Sequence, residues 1–74
     1  MKIAELKEVL DAEGINKADY RIDEPPGEST WCLKKQGKVW LVYWFERGER
    51  FDLQRFSSEE AACEYFLNQL RSKY

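Results

Sequence analysis

The chain has no histidine and two cysteines, Cys32 and Cys63. Those two types, with the carboxylates, are where nucleophilic or metal chemistry would have to start. Without histidine there is no Ser–His or Cys–His pair to activate a nucleophile. A zinc site takes about four ligands, and two widely separated cysteines do not supply them. A disulfide needs an oxidising compartment, so both cysteines read as small hydrophobes. Acid–base work needs two carboxylates converging in a pocket, whereas here they are spread over helix faces and turns, where solvation explains them. The four glycines are isolated turn or cap residues, not a phosphate-binding loop. These observations argue for a non-enzyme with no cofactor or metal.

A second kind of chemistry is recognition. The run Val39-Trp40-Leu41-Val42-Tyr43-Trp44-Phe45 is β-branched and aromatic, and apolar at both odd and even positions. As a strand it would pack a core with one face. The other face, carrying Val39, Leu41, Tyr43 and Phe45, needs cover of its own, and large apolar patches on monomers mark interaction sites. Tyr43 and Phe45 are typical interface anchors, with Arg47 and Arg50 placed to form a rim. The turn through Glu46, Arg47 and Arg50 projects from rigid strands and could also touch a partner. The structural alternative is that the N-terminal helix covers this face. Tyr43 and Phe45 could also stack single-stranded bases, with Lys34 and Arg50 on the same face.

The elements that would position these residues follow from periodicity. Residues 2–13 read as a helix with Ile3, Leu6, Val9 and Leu10 on one stripe. Gly14 is placed to end it in a left-handed conformation, with Ile15 folding back. Residues 20–23 alternate weakly as a first strand. The prolines at 25 and 26 make 24–29 a loop. Three strands follow at 30–35, 38–46 and 49–55, with Gln36-Gly37 and Arg47-Gly48 as two-residue hairpin loops. That register sets Leu33 opposite Trp40, Trp31 opposite Val42, Trp44 opposite Phe51 and Val42 opposite Leu53. One face then holds Trp31, Leu33, Trp40, Val42, Trp44, Phe51 and Leu53. The other holds Thr30, Cys32, Lys34, Val39, Leu41, Tyr43, Phe45, Arg50, Asp52 and Gln54. Ser57 and Glu60 form a capping box for a last helix running to about Ser72, and Phe56 is a hydrophobic staple. Ala62, Cys63, Phe66, Leu67 and Leu70 make that helix's buried stripe.

The whole is a single α+β domain over 1–74, in α-β-β-β-β-α order. An antiparallel three- or four-stranded meander has both helices packed on the Trp31/Trp40/Trp44 face. Seventy-four residues are near the lower limit for an unaided core, and an aromatic content of 15% compensates. With 12 basic and 14 acidic residues interspersed, the charge is a solubility pattern. The N-terminus has no apolar run for a signal peptide or membrane span, so the expected location is cytoplasmic.

The element order resembles the double-stranded-RNA-binding domain in outline. Ser57-Ser58-Glu59-Glu60 stands where that family carries a phosphate-facing lysine cluster, which weighs against nucleic acid as partner. From Trp40 onward the chain resembles a group of small bacterial proteins, some of them similar to immunity proteins that neutralise secreted toxins. The resemblance rests on Trp40, Val42 and Tyr43, on Glu46-Arg47-Gly48, and on Phe56, Ser58, Glu59, Ala61, Cys63, Tyr65, Leu67 and Leu70. It implies a cytoplasmic, non-catalytic protein that covers a toxin's active site. The expected partner is therefore another protein, or a second copy in a homodimer of structural role. A weak single-stranded nucleic-acid binder is the third reading.

Overall fold

A computed structural model describes residues 1–73. The elements are α1 (Ile3–Ala12), a short 3-10 turn (Lys17–Asp19), β1 (Tyr20–Ile22), β2 (Thr30–Gln36), β3 (Val39–Glu46), β4 (Glu49–Phe56) and α2 (Glu59–Lys73). The strands form one sheet in the order β1-β2-β3-β4. The α+β class and the element order are as the sequence indicates.

The helices form where the apolar spacing puts them. Leu6 and Leu10 of α1 are buried, and so are Ala62, Cys63, Phe66, Leu67 and Leu70 of α2. Gly14 ends α1 with φ 69°. Its N–H donates to the Asp11 carbonyl and that of Ile15 to the Leu10 carbonyl, the two bonds of a Schellman motif. Ile15 is folded back and buried. At the start of α2 the cap is Ser58 and not Ser57. Its Oγ accepts from Ala61 N–H at 3.3 Å, and Glu59 turns away to accept Ile3 N–H at 2.8 Å, tying the two helices together.

Both helices lie on the same side of the sheet. Leu6, Leu10, Leu33, Val42, Phe66 and Leu70 share one core cluster, with Trp31, Trp40 and Phe56 packed against it. The sheet differs from the expected meander in three ways. First, β1 pairs parallel with β2, Tyr20 beside Trp31 and Ile22 beside Leu33. A parallel connection ordinarily takes a dozen or more residues. Here β1 is three residues long, so the 23–29 loop has little distance to return. Asp23 and Ser29, both at φ 54°, reverse the chain at either end of it.

Second, Leu33 pairs with Val42 and Trp31 with Trp44, two residues from the expected register. The loop is Gly37-Lys38, because the positive φ of 64° sits at Gly37 as its first residue. A slip of two preserves which face each side chain takes. Third, β4 carries a bulge. Trp44 pairs with Phe51 as expected, but Val42 pairs with Gln54 and Trp40 with Phe56. Asp52, at φ 53°, supplies the extra residue. Leu53 therefore leaves the core and is 42% exposed, while Phe51, at the sheet edge, is 43% exposed.

Candidate partner-binding face

The face of the sheet away from the helices is built in cross-strand rows. Residues opposite one another share a face. Arg21, Cys32 and Tyr43 form one row, Thr30, Phe45 and Arg50 a second, and Lys34, Leu41 and Arg55 a third. Among the described residues no helix packs there; Cys32, Leu41 and Tyr43 form a separate small core, with Val39 and Phe45 against it.

That small core is closed by its own chain, which corrects the expectation of an open Leu41/Tyr43 surface. Tyr43 is 1% exposed and Leu41 5%. The Arg50 guanidinium lies 4.7 Å from the Tyr43 ring centre, a cation–π contact that roofs the ring. The 23–29 loop closes the adjoining end. Thr30 Oγ1 donates to the Gly27 carbonyl at 2.7 Å. Gly27 lies against the Arg21 guanidinium, where a Cβ would sit 2.6 Å from Nη2, so a larger residue would push that guanidinium aside. Glu28 Oε1 then accepts the Arg47 N–H at 2.8 Å, joining this loop to the β3–β4 turn. Burial pushes the Tyr43 hydroxyl and the Cys32 thiol up from their ordinary pKa values, so both stay neutral at pH 7.

The residues expected to bind a partner thus divide. Val39 and Phe45 are half-buried toward opposite ends of β3 on this face, and Arg50 is exposed above Tyr43. Leu41 and Tyr43 form the floor. Arg47 is exposed in the turn, where φ is 53° at Arg47 and 77° at Gly48. Glu46 faces the helix side instead, where it accepts the Trp44 Nε1 hydrogen at 2.8 Å. Sequence reasoning missed Arg21 and Arg55. Arg55 replaces Gln54 on this face because of the bulge. One signal for it was legible: Phe51 and Phe56 are five residues apart and can share a face only if the strand gains a residue between them.

The remaining chemistry stays apart. Cys32 and Cys63 lie in different clusters on opposite sides of the sheet. Among the described residues no group of three or more Cys, Asp or Glu could hold a metal. Among the same residues no helix is long and apolar enough to cross a membrane. A cleft of about 480 Å3 between α1 and β1 is lined by Lys7, Asp11, Lys17, Arg21 and Glu24 among others. Its charges are largely self-satisfied, with Lys17 3.9 Å from Asp11 and Arg21 bonded to the Lys17 and Tyr20 carbonyls. No protein-family model, curated protein or solved structure matches the chain.

Proposed function

We propose that the protein is a non-catalytic protein-binding module that works through the outer sheet face and the β3–β4 turn. The observation that carries this reading is the asymmetry of the sheet. Both helices cover one face, while the other keeps Val39 and Phe45 half-buried toward opposite ends of β3, with Arg50 exposed beside Phe45 and, among the described residues, no element over them. Such a surface suits a partner that contributes the missing cover. The narrower form of the proposal, a cytoplasmic immunity protein that neutralises a toxin, rests on the likeness of residues 40–70 to such proteins.

Tyr43 is unsuited to testing this because it is core. Phe45→Asp and Val39→Asp are the informative changes. Affinity capture should lose a specific partner with either variant, while circular dichroism shows an unchanged fold and Lys7→Glu on α1 keeps the partner. Retention of every partner by both folded variants would refute the reading. A homodimer is the competing use of exposed apolar surface, drawn from Phe51 and Leu53 on β4. Light scattering over a dilution series decides it: a stable dimer dissociated by Leu53→Asp and unaffected by Phe45→Asp would place the interface on β4.

A further inference from the structure

We infer that the partner of the outer face is acidic, an extended protein segment whose carboxylates meet Lys34, Arg50 and Arg55; this rests on the protein-binding reading above. The first support is the distribution of charge. Residues 30–56 hold six basic side chains (Lys34, Lys35, Lys38, Arg47, Arg50, Arg55) and three acidic ones (Glu46, Glu49, Asp52). The rest of the chain holds six basic and eleven acidic. An acidic protein therefore carries one basic region, and the cross-strand rows gather much of it on one face.

The second support is pairing. Elsewhere Arg71 meets Glu13, Lys73 meets Asp19 at 3.3 Å and Lys17 meets Asp11 at 3.9 Å, while Lys2 and Lys7 have no carboxylate within 4 Å among the described residues. Among the described residues no carboxylate lies within 4 Å of Arg21, Lys34, Arg50 or Arg55. Lys34 and Arg55 flank Leu41 in one row, and Arg50 flanks Phe45 two rows away, with the Tyr43 row and the Asp52–Leu53 bulge between them. These cations stand unpaired on the sheet face, and carboxylates from outside would pair with them. Arg50 is also suited to the task. Its Cζ lies 4.7 Å from the Tyr43 ring centre while the side chain is exposed, so the guanidinium is within reach of a carboxylate from outside.

The third support concerns the class of anion. Single-stranded nucleic acid binds through aromatic faces on which bases stack. Here the Tyr43 ring is 1% exposed and already covered by Arg50. A long polyanion would also run off the sheet onto the acidic remainder of the chain. A short acidic segment with apolar residues between its carboxylates fits both the cations and the half-buried Val39 and Phe45.

Fluorescence anisotropy with a labelled peptide alternating Glu and Val tests this. An otherwise identical Gln/Val peptide and an oligothymidylate serve as comparisons. The Glu/Val peptide should bind, weaken as NaCl is raised, and lose about tenfold in affinity with Arg50→Glu/Arg55→Glu. Lys7→Glu should leave it unchanged. Arg55→Glu alone is the second variant, since it leaves the roof over Tyr43 in place, and thermal melts establish that each variant is folded. Equal binding of the Gln/Val peptide, lost only with Phe45→Asp, would overturn the acidic partner and leave the protein-binding reading standing. Tighter binding of oligothymidylate, weakened by the same reversals, would overturn both. Failure of both peptides to bind would overturn the acidic partner, with the capture experiment on Phe45→Asp still deciding the broader reading.

Discussion

Replacing Tyr43 by alanine should nearly unfold the protein, although no helix covers that side of the sheet. Tyr43 is 1% exposed and is among the largest fully buried side chains. Truncating a buried aromatic ring to alanine costs about 3–5 kcal/mol. Loss of the Arg50 contact adds about 0.5–1 kcal/mol. A 74-residue domain has roughly 4–11 kcal/mol of stability in total, at about 0.05–0.15 kcal/mol per residue. The substitution therefore removes most of what holds the fold. Tyr43→Phe keeps the ring and should cost about 1 kcal/mol. Urea denaturation followed by far-ultraviolet circular dichroism measures both. At about 4–8 °C per kcal/mol for a domain of this size, Tyr43→Ala should also lower Tm by at least about 12 °C. A loss below about 1 kcal/mol at unchanged urea dependence would refute the reasoning. It would mean that Arg50 and the 23–29 loop do not close this face in solution.

Three further outcomes follow from the same structure. Ser58→Ala removes the side-chain bond to Ala61 N–H at the start of α2, and urea denaturation should show a loss of about 1 kcal/mol; no loss would mean that the cap contributes nothing. Both thiols are buried, and burial pushes Cys63 up to about 11, so alkylation of the native protein should proceed only through unfolding, and rapid labelling of Cys63 at pH 8 would contradict this. The Arg71 guanidinium holds the Glu13 carboxyl below its ordinary value through a hydrogen bond, Nε donating to Oε1 at 3.0 Å. Because the folded pKa is the lower one, this contribution is present above the unfolded carboxylate pKa and fades as pH falls through the folded value. A carbon-detected NMR titration should show Glu13 titrating below the ordinary glutamate range, and Arg71→Gln should return it to that range.

Much of this fold is legible in the residues because two periods carry it. The 3.6-residue spacing of Leu6 and Leu10, and of Ala62 through Leu70, identifies the buried helix faces without any knowledge of the sheet. The period of two in β2 and β3 assigns their side chains to faces, and survives a register error of two residues because that error is even. The direction of β1 was not legible. A three-residue alternating strand looks the same in either orientation, and its direction is decided by the left-handed turns at Asp23 and Ser29. The closure of the Tyr43 face was hidden for a different reason. The residues that close it are arginines and a proline–glycine loop, types that ordinarily read as exposed.

The bulge at Asp52 links the core to the candidate site. In a regular strand Phe51 and Phe56 would point to opposite faces, and one of them would be lost to the helix side. The additional residue lets Phe51 stand beside Trp44 while Phe56 packs on Tyr65, with ring centres 5.3 Å apart. Asp tolerates the left-handed conformation that this requires better than most residues do. The same change of parity turns Arg55 outward into the row of Lys34 and Leu41, where a regular strand would have placed Gln54. It also breaks the ladder on an exposed edge strand, which limits edge-to-edge pairing through β4. A single local feature thus keeps Phe56 against the core, blunts the free edge and turns Arg55 onto the uncovered face. That convergence is why the outer face, more than the apolar edge, is the surface on which a partner should be sought.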